Sequence, residues 1–139
     1  MTLEISIKLV PDKIFWKNSV KEVILPTLSG QMGILTNHIP VLTGLDTGLL
    51  LVRDASSSNW VTFVVTGGFA LVNENKITIL VNEAEFGSDV NVQEAEEAYL
   101  ASKVALESNS DVTRKFELNS QFKKARARFQ LVQSSKNIG

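Results

Sequence analysis

The sequence predicts an α+β chain: an N-terminal antiparallel β-domain, sandwich or barrel, followed by a C-terminal antiparallel two-helix hairpin. Two observations carry this. As far as Asn82, short runs of β-branched, aromatic and aliphatic residues recur at close spacing with turn residues between them. Beyond that point the apolar period changes from two to that of a helix, after a stretch rich in capping residues, Ser88-Asp89-Val90-Asn91. At 139 residues the chain can hold one compact domain and a small appendage.

The elements follow in order. Leu3, Ile5, Ile7 and Leu9 alternate with Glu4, Ser6 and Lys8, the period of a half-buried strand. Pro11-Asp12 is a turn. Ile14-Phe15-Trp16 and Val20 to Leu25 are two further β-rich runs, the second ended by Pro26. Glycines Gly30, Gly33, Gly67 and Gly68 shape turns or bulges between strands. Leu49 to Arg53 precedes a polar loop over residues 54–59. Trp60 to Thr66, Phe69 to Val72 and Ile77 to Asn82 complete the set, with a turn at Asn73-Glu74-Asn75-Lys76. In the first helix Ala95, Ala98, Tyr99, Ser102, Ala105 and Leu106 share a face of mostly small side chains, so a partner helix can lie close. Ser108-Asn109-Ser110-Asp111 breaks that helix and offers a new cap. In the second, Leu118, Phe122, Ala125, Phe129 and Val132 form an apolar stripe. Residues 1–85 and 86–139 are thus expected as two domains.

Composition excludes several function classes. The chain has no cysteine, which rules out disulfides, thiolate catalysis and cysteine-bound zinc, and its single histidine rules out a multi-histidine metal site. No apolar run is long enough to span a membrane. The N-terminus has neither the pattern of a secretory signal nor that of a transit peptide, so the expectation is that the protein is made in the compartment where it works or that the sequence has been trimmed. Net charge is −1, and no global field draws the chain to nucleic acid. From Asp111 onward, however, seven basic residues face two acids, giving the tail +5 and the remainder −6.

Candidate chemistry is sparse. Leu45-Asp46-Thr47-Gly48 is similar to the aspartic-protease triplet, so a small homodimeric protease is the competing enzymatic reading. The same triplet is a good turn, with Asp as the cap and Gly accepting positive φ. The glycine pairs match neither phosphate-loop fingerprint. His38 has no evident partner carboxylate or nucleophile. Glu94, Glu96 and Glu97 stand where acids offset a helix dipole. Lys123, Lys124, Arg126 and Arg128 are expected to fan out from the apolar stripe of the second helix. With no interleaved aromatics for base stacking, the cluster suits an acidic protein surface better than nucleic acid. These residues describe an interaction module with no catalytic, metal or cofactor site.

Two stretches carry a family resemblance. Residues 29–40, Ser29-Gly30-Gln31-Met32-Gly33-Ile34-Leu35-Thr36-Asn37-His38-Ile39-Pro40, fit the pattern G-x-x-G-[IV]-x-x-x-H-x-P, and Gly67-Gly68-Phe69 lies within a further matching segment. The chain resembles the ε subunit of rotary ATP synthases, called δ in mitochondria, almost end to end. Residues 118–132 look like the plastid and cyanobacterial form. The resemblance implies a flattened antiparallel sandwich at the foot of the central stalk, bound to the γ subunit and resting on the c-ring. It implies a c-ring contact at Gly30, Gln31, Met32 and Gly33, where many relatives carry Glu and this chain has Gln31. It implies a γ contact around His38 and Pro40. It also implies a hairpin that extends along γ, meets the catalytic subunits through Lys123, Lys124, Arg126 and Arg128, and inhibits ATP hydrolysis. The location implied is peripheral, on the stromal side of the chloroplast thylakoid, with a cyanobacterial thylakoid as second choice. Bacterial relatives bind ATP through [IL]-D-x-x-R-A. Here the matching residues are Val90-Asn91-Val92-Gln93-Glu94-Ala95, with Asp replaced by Asn91 and Arg by Glu94, so no ATP binding is expected.

Overall fold

One long strand organises the β-domain. The computed structural model describes residues 2–108 and 112–138. The two runs expected around Phe15 and Val23 are a single strand, β2 (Lys13–Thr27). Its first half pairs antiparallel with β1 (Leu3–Leu9), in a register running from Leu3↔Val20 to Leu9↔Lys13. Its second half pairs with β3 (Gly30–Ile34) and with β5 (Gly48–Asp54). A register shift between Val20 and Glu22 marks where β2 changes partner, the means by which one strand serves both layers of a sandwich. Pro26 does not end this strand. The β5 ladder stops at Ile24↔Leu51 and β4 (Val41–Leu45) takes over only at Thr27↔Leu45, so Pro26 stands between two partners and its missing N–H breaks no bond to β5. Its carbonyl accepts the Asp46 N–H at 2.8 Å.

The remaining strands are β6 (Trp60–Val65), β7 (Gly68–Asn73), β8 (Lys76–Val81) and β9 (Ala84–Phe86). The strand order is β1-β8-β7-β4-β2-β5-β6-β9, with β3 on β2 and an additional β1–β2 pairing. The expectation of a wholly antiparallel domain needs one correction: β1 and β8 run parallel, from Glu4↔Lys76 to Leu9↔Val81. This pair is sealed at both ends, by Glu4 N–H to Asn75 O at 2.9 Å and Val10 N–H to Val81 O at 3.0 Å. The turn between β7 and β8 has positive φ at Glu74 and Asn75, the twist a two-residue hairpin requires.

Alternation decides which faces meet. Leu3, Ile5 and Ile7 of β1 point into the core, with Val20, Val23 and Leu25 of β2, Leu50 and Val52 of β5, and Ile77, Ile79 and Val81 of β8. Phe63 is the largest fully buried side chain, and its ring lies 5.0 Å from Trp16, 5.1 Å from Phe86 and 6.3 Å from Phe15. Aromatic pairs at these separations add about 0.5–1.5 kcal/mol each beyond area burial.

The described residues divide into two compact units, Met1–Phe86 and Gly87–Gly139. In the second, a 3₁₀ turn at Gly87–Asp89 precedes α1 (Val92–Ser108) and α2 (Val112–Ile138). Asn91 caps α1: its side-chain oxygen accepts the Glu94 N–H at 2.9 Å, and its carbonyl accepts the Ala95 N–H at 2.9 Å. The cap expected over Asn109–Asp111 lies outside the described residues. Tyr99 stacks on Phe129 at 4.5 Å and 16°, and on Phe122 at 5.6 Å and 28°, so the aromatic members of the predicted stripe meet α1. Ala125, Ala127 and Val132 are buried, which widens that stripe by Ala127.

Candidate functional site

The expected turn at Gly30–Gly33 is instead strand β3. The turn itself is Leu28-Ser29, tied by Thr27: its hydroxyl donates to the Gly30 carbonyl and accepts the Ser29 N–H at 3.2 Å. Only Gly30 in this stretch has a backbone that demands glycine, with φ 117°. Gly33 has no such demand, and a Cβ added there would meet nothing within 4 Å. The four residues divide by face. Met32 packs against the core, while Gly30, Gln31 and Gly33 are exposed. The hairpin therefore offers an outer edge of backbone and one amide side chain.

The segment carrying His38 and Pro40 is an ordered loop. Asn37, with φ 65°, donates its N–H to the Asn75 side-chain oxygen at 2.6 Å, and the Asn75 amide returns a bond to Asn37 at 3.4 Å. This clasp fixes the loop to the β7–β8 turn. The His38 N–H donates to the Leu35 carbonyl at 3.3 Å, and Nδ1 lies 2.7 Å from the Ile39 carbonyl. His38 is thus engaged with its own backbone. Pro40 and Ile39 are exposed beside it.

The loop leads into a face that sequence reasoning missed. On β4 and β7 the outward residues Leu42 and Leu71 are directly opposite, as are Gly44 and Phe69. Leu42 is 69% exposed, Phe69 60% and Leu71 48%. Leu28, 71% exposed, reaches from the β2–β3 hairpin over Gly44, where its Cδ1 lies 2.9 Å from where a Cβ would stand. Absence of a side chain at Gly44 lets Leu28 join the hairpin to this face. Contiguous exposed aliphatic and aromatic side chains of this kind mark contact surfaces. The signal was available in the sequence: Phe69 to Val72 is apolar at both parities, as are Val41-Leu42, so both faces of these strands are hydrophobic.

The protease triplet is a bend at Asp46-Thr47 leading into β5 at Gly48, whose φ is not positive as the turn reading expected. The Asp46 side chain accepts the Thr47 N–H at 2.9 Å, and a Cβ at Gly48 would stand 3.1 Å from Pro26 Cβ. The first feature belongs to the β4–β5 connection and the second to the start of β5. Among the described residues no cluster of three or more His, Asp or Glu could hold a metal ion, and no helix is long and apolar enough to cross a membrane.

On α2 the four basic residues are not equivalent. Arg126 is exposed, with its guanidinium 5.6 Å from the Phe122 ring centroid. Lys123 and Lys124 are half-buried. Arg128 does not fan outward as expected: its side chain is 15% exposed, and Nη1 lies 3.6 Å from Glu94 Oε1 on α1. The expectation failed because Arg128 adjoins Phe129 and so lies on the edge of the stripe that α1 covers.

Comparison with known proteins agrees with this geometry. The family model "ATP synthase, Delta/Epsilon chain, beta-sandwich domain" matches residues 2–87. The chloroplastic ATP synthase epsilon chain of Euglena gracilis is 62% identical, over 98% of this chain and 100% of the relative. That of Chlorella vulgaris is 49% identical over 95% and 96% of the two chains, and that of Chlamydomonas reinhardtii 43% over 99% and 100%. In fold, the chain resembles a chain of the Euglena gracilis mitochondrial ATP synthase complex with a TM-score of 0.76 at 21% identity, covering 95% of this chain and 81% of that one. A chain of the Tetrahymena thermophila central stalk and c-ring gives 0.66 at 18% identity, with 95% and 97% coverage. Identity across nearly the whole length, with the family model over residues 2–87, leads to one conclusion: the chain belongs to the ATP synthase delta/epsilon family, and the relatives it matches end to end are epsilon chains of the chloroplast type.

Proposed function

We propose that the sandwich is the joint between the c-ring and the γ subunit, on the stromal side of the thylakoid membrane. The observation that carries this is the continuous outer surface from Leu42, Leu71 and Phe69 through Leu28 to the β2–β3 hairpin. The apolar face, with His38 and Pro40 at its margin, docks on γ. The hairpin edge at Gly30, Gln31 and Gly33 rests on the ring. Gln31 makes that contact a neutral hydrogen bond, so it should vary little with salt. Gly33 is compatible with the assignment: a Cβ there would meet nothing within 4 Å, so the fold leaves this stretch of backbone open to a neighbour. A sandwich built on one shared strand transmits torque without shearing, and rotation of the ring thereby reaches the catalytic head.

The helical unit regulates. Its basic α2, through Lys123, Lys124, Arg126 and Arg128, meets an acidic surface of the catalytic subunits and restrains ATP hydrolysis. The test uses the complete synthase. The full chain should co-purify with γ and the c-ring, and neutralising all four basic residues should raise ATPase activity at low salt. A chain that remains monomeric in the presence of γ and ring refutes the joint. Unchanged ATPase activity refutes the regulatory role.

A further inference from the structure

We propose that Glu94 is an internal competitor for Arg128: its carboxylate occupies the guanidinium that an acidic partner surface would need, so the hairpin must part before α2 presents Arg128. This rests on the reading of α2 as the element that meets an acidic surface. Three features of the helical unit support it.

The first is placement. Glu94 is the third residue of α1, and its N–H is held by the Asn91 side chain at 2.9 Å, so the cap fixes where the carboxylate starts. From there Oε1 reaches Arg128 Nη1 on the other helix. The second is strength. At 3.6 Å, with the glutamate side chain 67% exposed, the pair is longer than a charge-assisted hydrogen bond of about 2.7–2.9 Å and is partly screened by water. Such a contact biases the hairpin toward closure and still yields to a stronger acidic surface. The third is coupling. Arg128 is followed by Phe129, which stacks on Tyr99 of α1 at 4.5 Å. Parting the ion pair and parting the ring stack are therefore one movement of one segment. Arg126, two residues earlier, is exposed and can make first contact while Arg128 is still held. The arrangement separates the basic cluster into a residue that probes and a residue that commits.

The experiment compares the full wild-type chain with Glu94→Gln, Arg128→Gln and the double variant, since either helix-dipole or packing losses alone would give additive effects. Amide hydrogen exchange of α1 is read at 20 mM and 1 M NaCl. Each single change should speed exchange by about two- to fivefold at low salt, and the double variant by no more than the larger single. The differences should vanish at 1 M NaCl. In the assembled enzyme, Glu94→Gln should strengthen inhibition of ATP hydrolysis by about two- to fivefold, while Arg128→Gln and the double variant should weaken it equally. Additive exchange effects, or effects that persist in 1 M salt, overturn the pairing. Coupled exchange with unchanged potency of Glu94→Gln, where Arg128→Gln loses potency, overturns the competition and leaves the regulatory reading intact. If neither Arg128→Gln nor neutralisation of all four basic residues alters ATPase activity, the regulatory reading itself fails, and the competition with it.

Discussion

Replacing Gly33 by alanine should stabilise the isolated chain while weakening its hold on the c-ring. Gly33 lies in β3 on the exposed side, its φ is not positive, and a Cβ there would meet nothing within 4 Å. Glycine inside a strand costs about 0.5–1 kcal/mol relative to alanine, which for a domain of this size is a rise in melting temperature of about 2–8 °C. A bulkier Gly33→Leu should leave the fold intact yet lower ring affinity about 5- to 150-fold, the equivalent of about 1–3 kcal/mol of overpacking at a close contact. Gly68 supplies the contrast. A Cβ there would stand 2.0 Å from the Leu80 carbonyl oxygen and 3.0 Å from Val81 Cα, both backbone atoms that cannot swing aside. Gly68→Ala should therefore push β7 off β8, cost about 3 kcal/mol and lower the melting temperature by at least about 10 °C. Calorimetry of the isolated variants and capture on purified c-ring measure both effects. A Gly33→Ala chain less stable than wild type, or a folded Gly33→Leu chain captured as well as wild type, would refute the reasoning.

Three further outcomes are expected. Converting Leu42, Phe69 and Leu71 together to serine should lower affinity for γ by two or more orders of magnitude: at about 1.5–3 kcal/mol for a fully buried side chain, the exposed fractions amount to about 3–5 kcal/mol in titration calorimetry, while the fractions already buried in the isolated chain, about 2–4 kcal/mol, should lower its melting temperature, so binding is read where the variant is still folded. The Ser56 hydroxyl, and after it the Ser56 and Ser57 amides, hold the Asp54 carboxyl below its ordinary value of 3.8. Because the folded value is depressed, this contribution is present at neutral pH and is lost as the pH falls below about 4 through the lowered value, so Asp54→Asn should flatten the acid limb of a stability–pH curve. Millimolar ATP should leave the amide NMR signals of α1 and α2 unshifted, because Glu94 sets a negative charge beside Arg128 that would repel a phosphate there.

Most of the fold was legible because alternation and turn chemistry are local. The β1 pattern, the loop over residues 54–59 and the Glu74-Asn75 turn all follow from neighbours in sequence. What was illegible depends on distant partners. Pro26 ends a strand by its own chemistry, yet here it sits in the gap between β5 and β4, a place defined only after the sheet forms. Gly30 and Gly33 suggest a turn, but pairing with Thr27 and Ile24 makes them a strand. The parallel β1–β8 pair could not be read from either strand alone. For the candidate site, the motif over residues 29–40 drew attention to one hairpin and loop, while the apolar face needed the register Leu42↔Leu71 before four scattered side chains became one surface. Arg128 was misplaced because helical spacing fixes an angle around one axis and says nothing of which acid faces it from the other helix.

The parallel pairing of β1 with β8 also sets an order of events during synthesis. Glu4 aligns with Lys76, so the first strand to leave the ribosome must wait for one of the last of the sandwich. At about 5–20 residues per second, that delay is roughly 4–14 s. During it, Leu3, Ile5 and Ile7 can be half satisfied by the β2 hairpin, with the other edge of β1 still open. A nascent chain stalled before Val81 would therefore present an unfinished strand edge, and it is at that stage, more than in the finished subunit, that a chaperone would find something to hold.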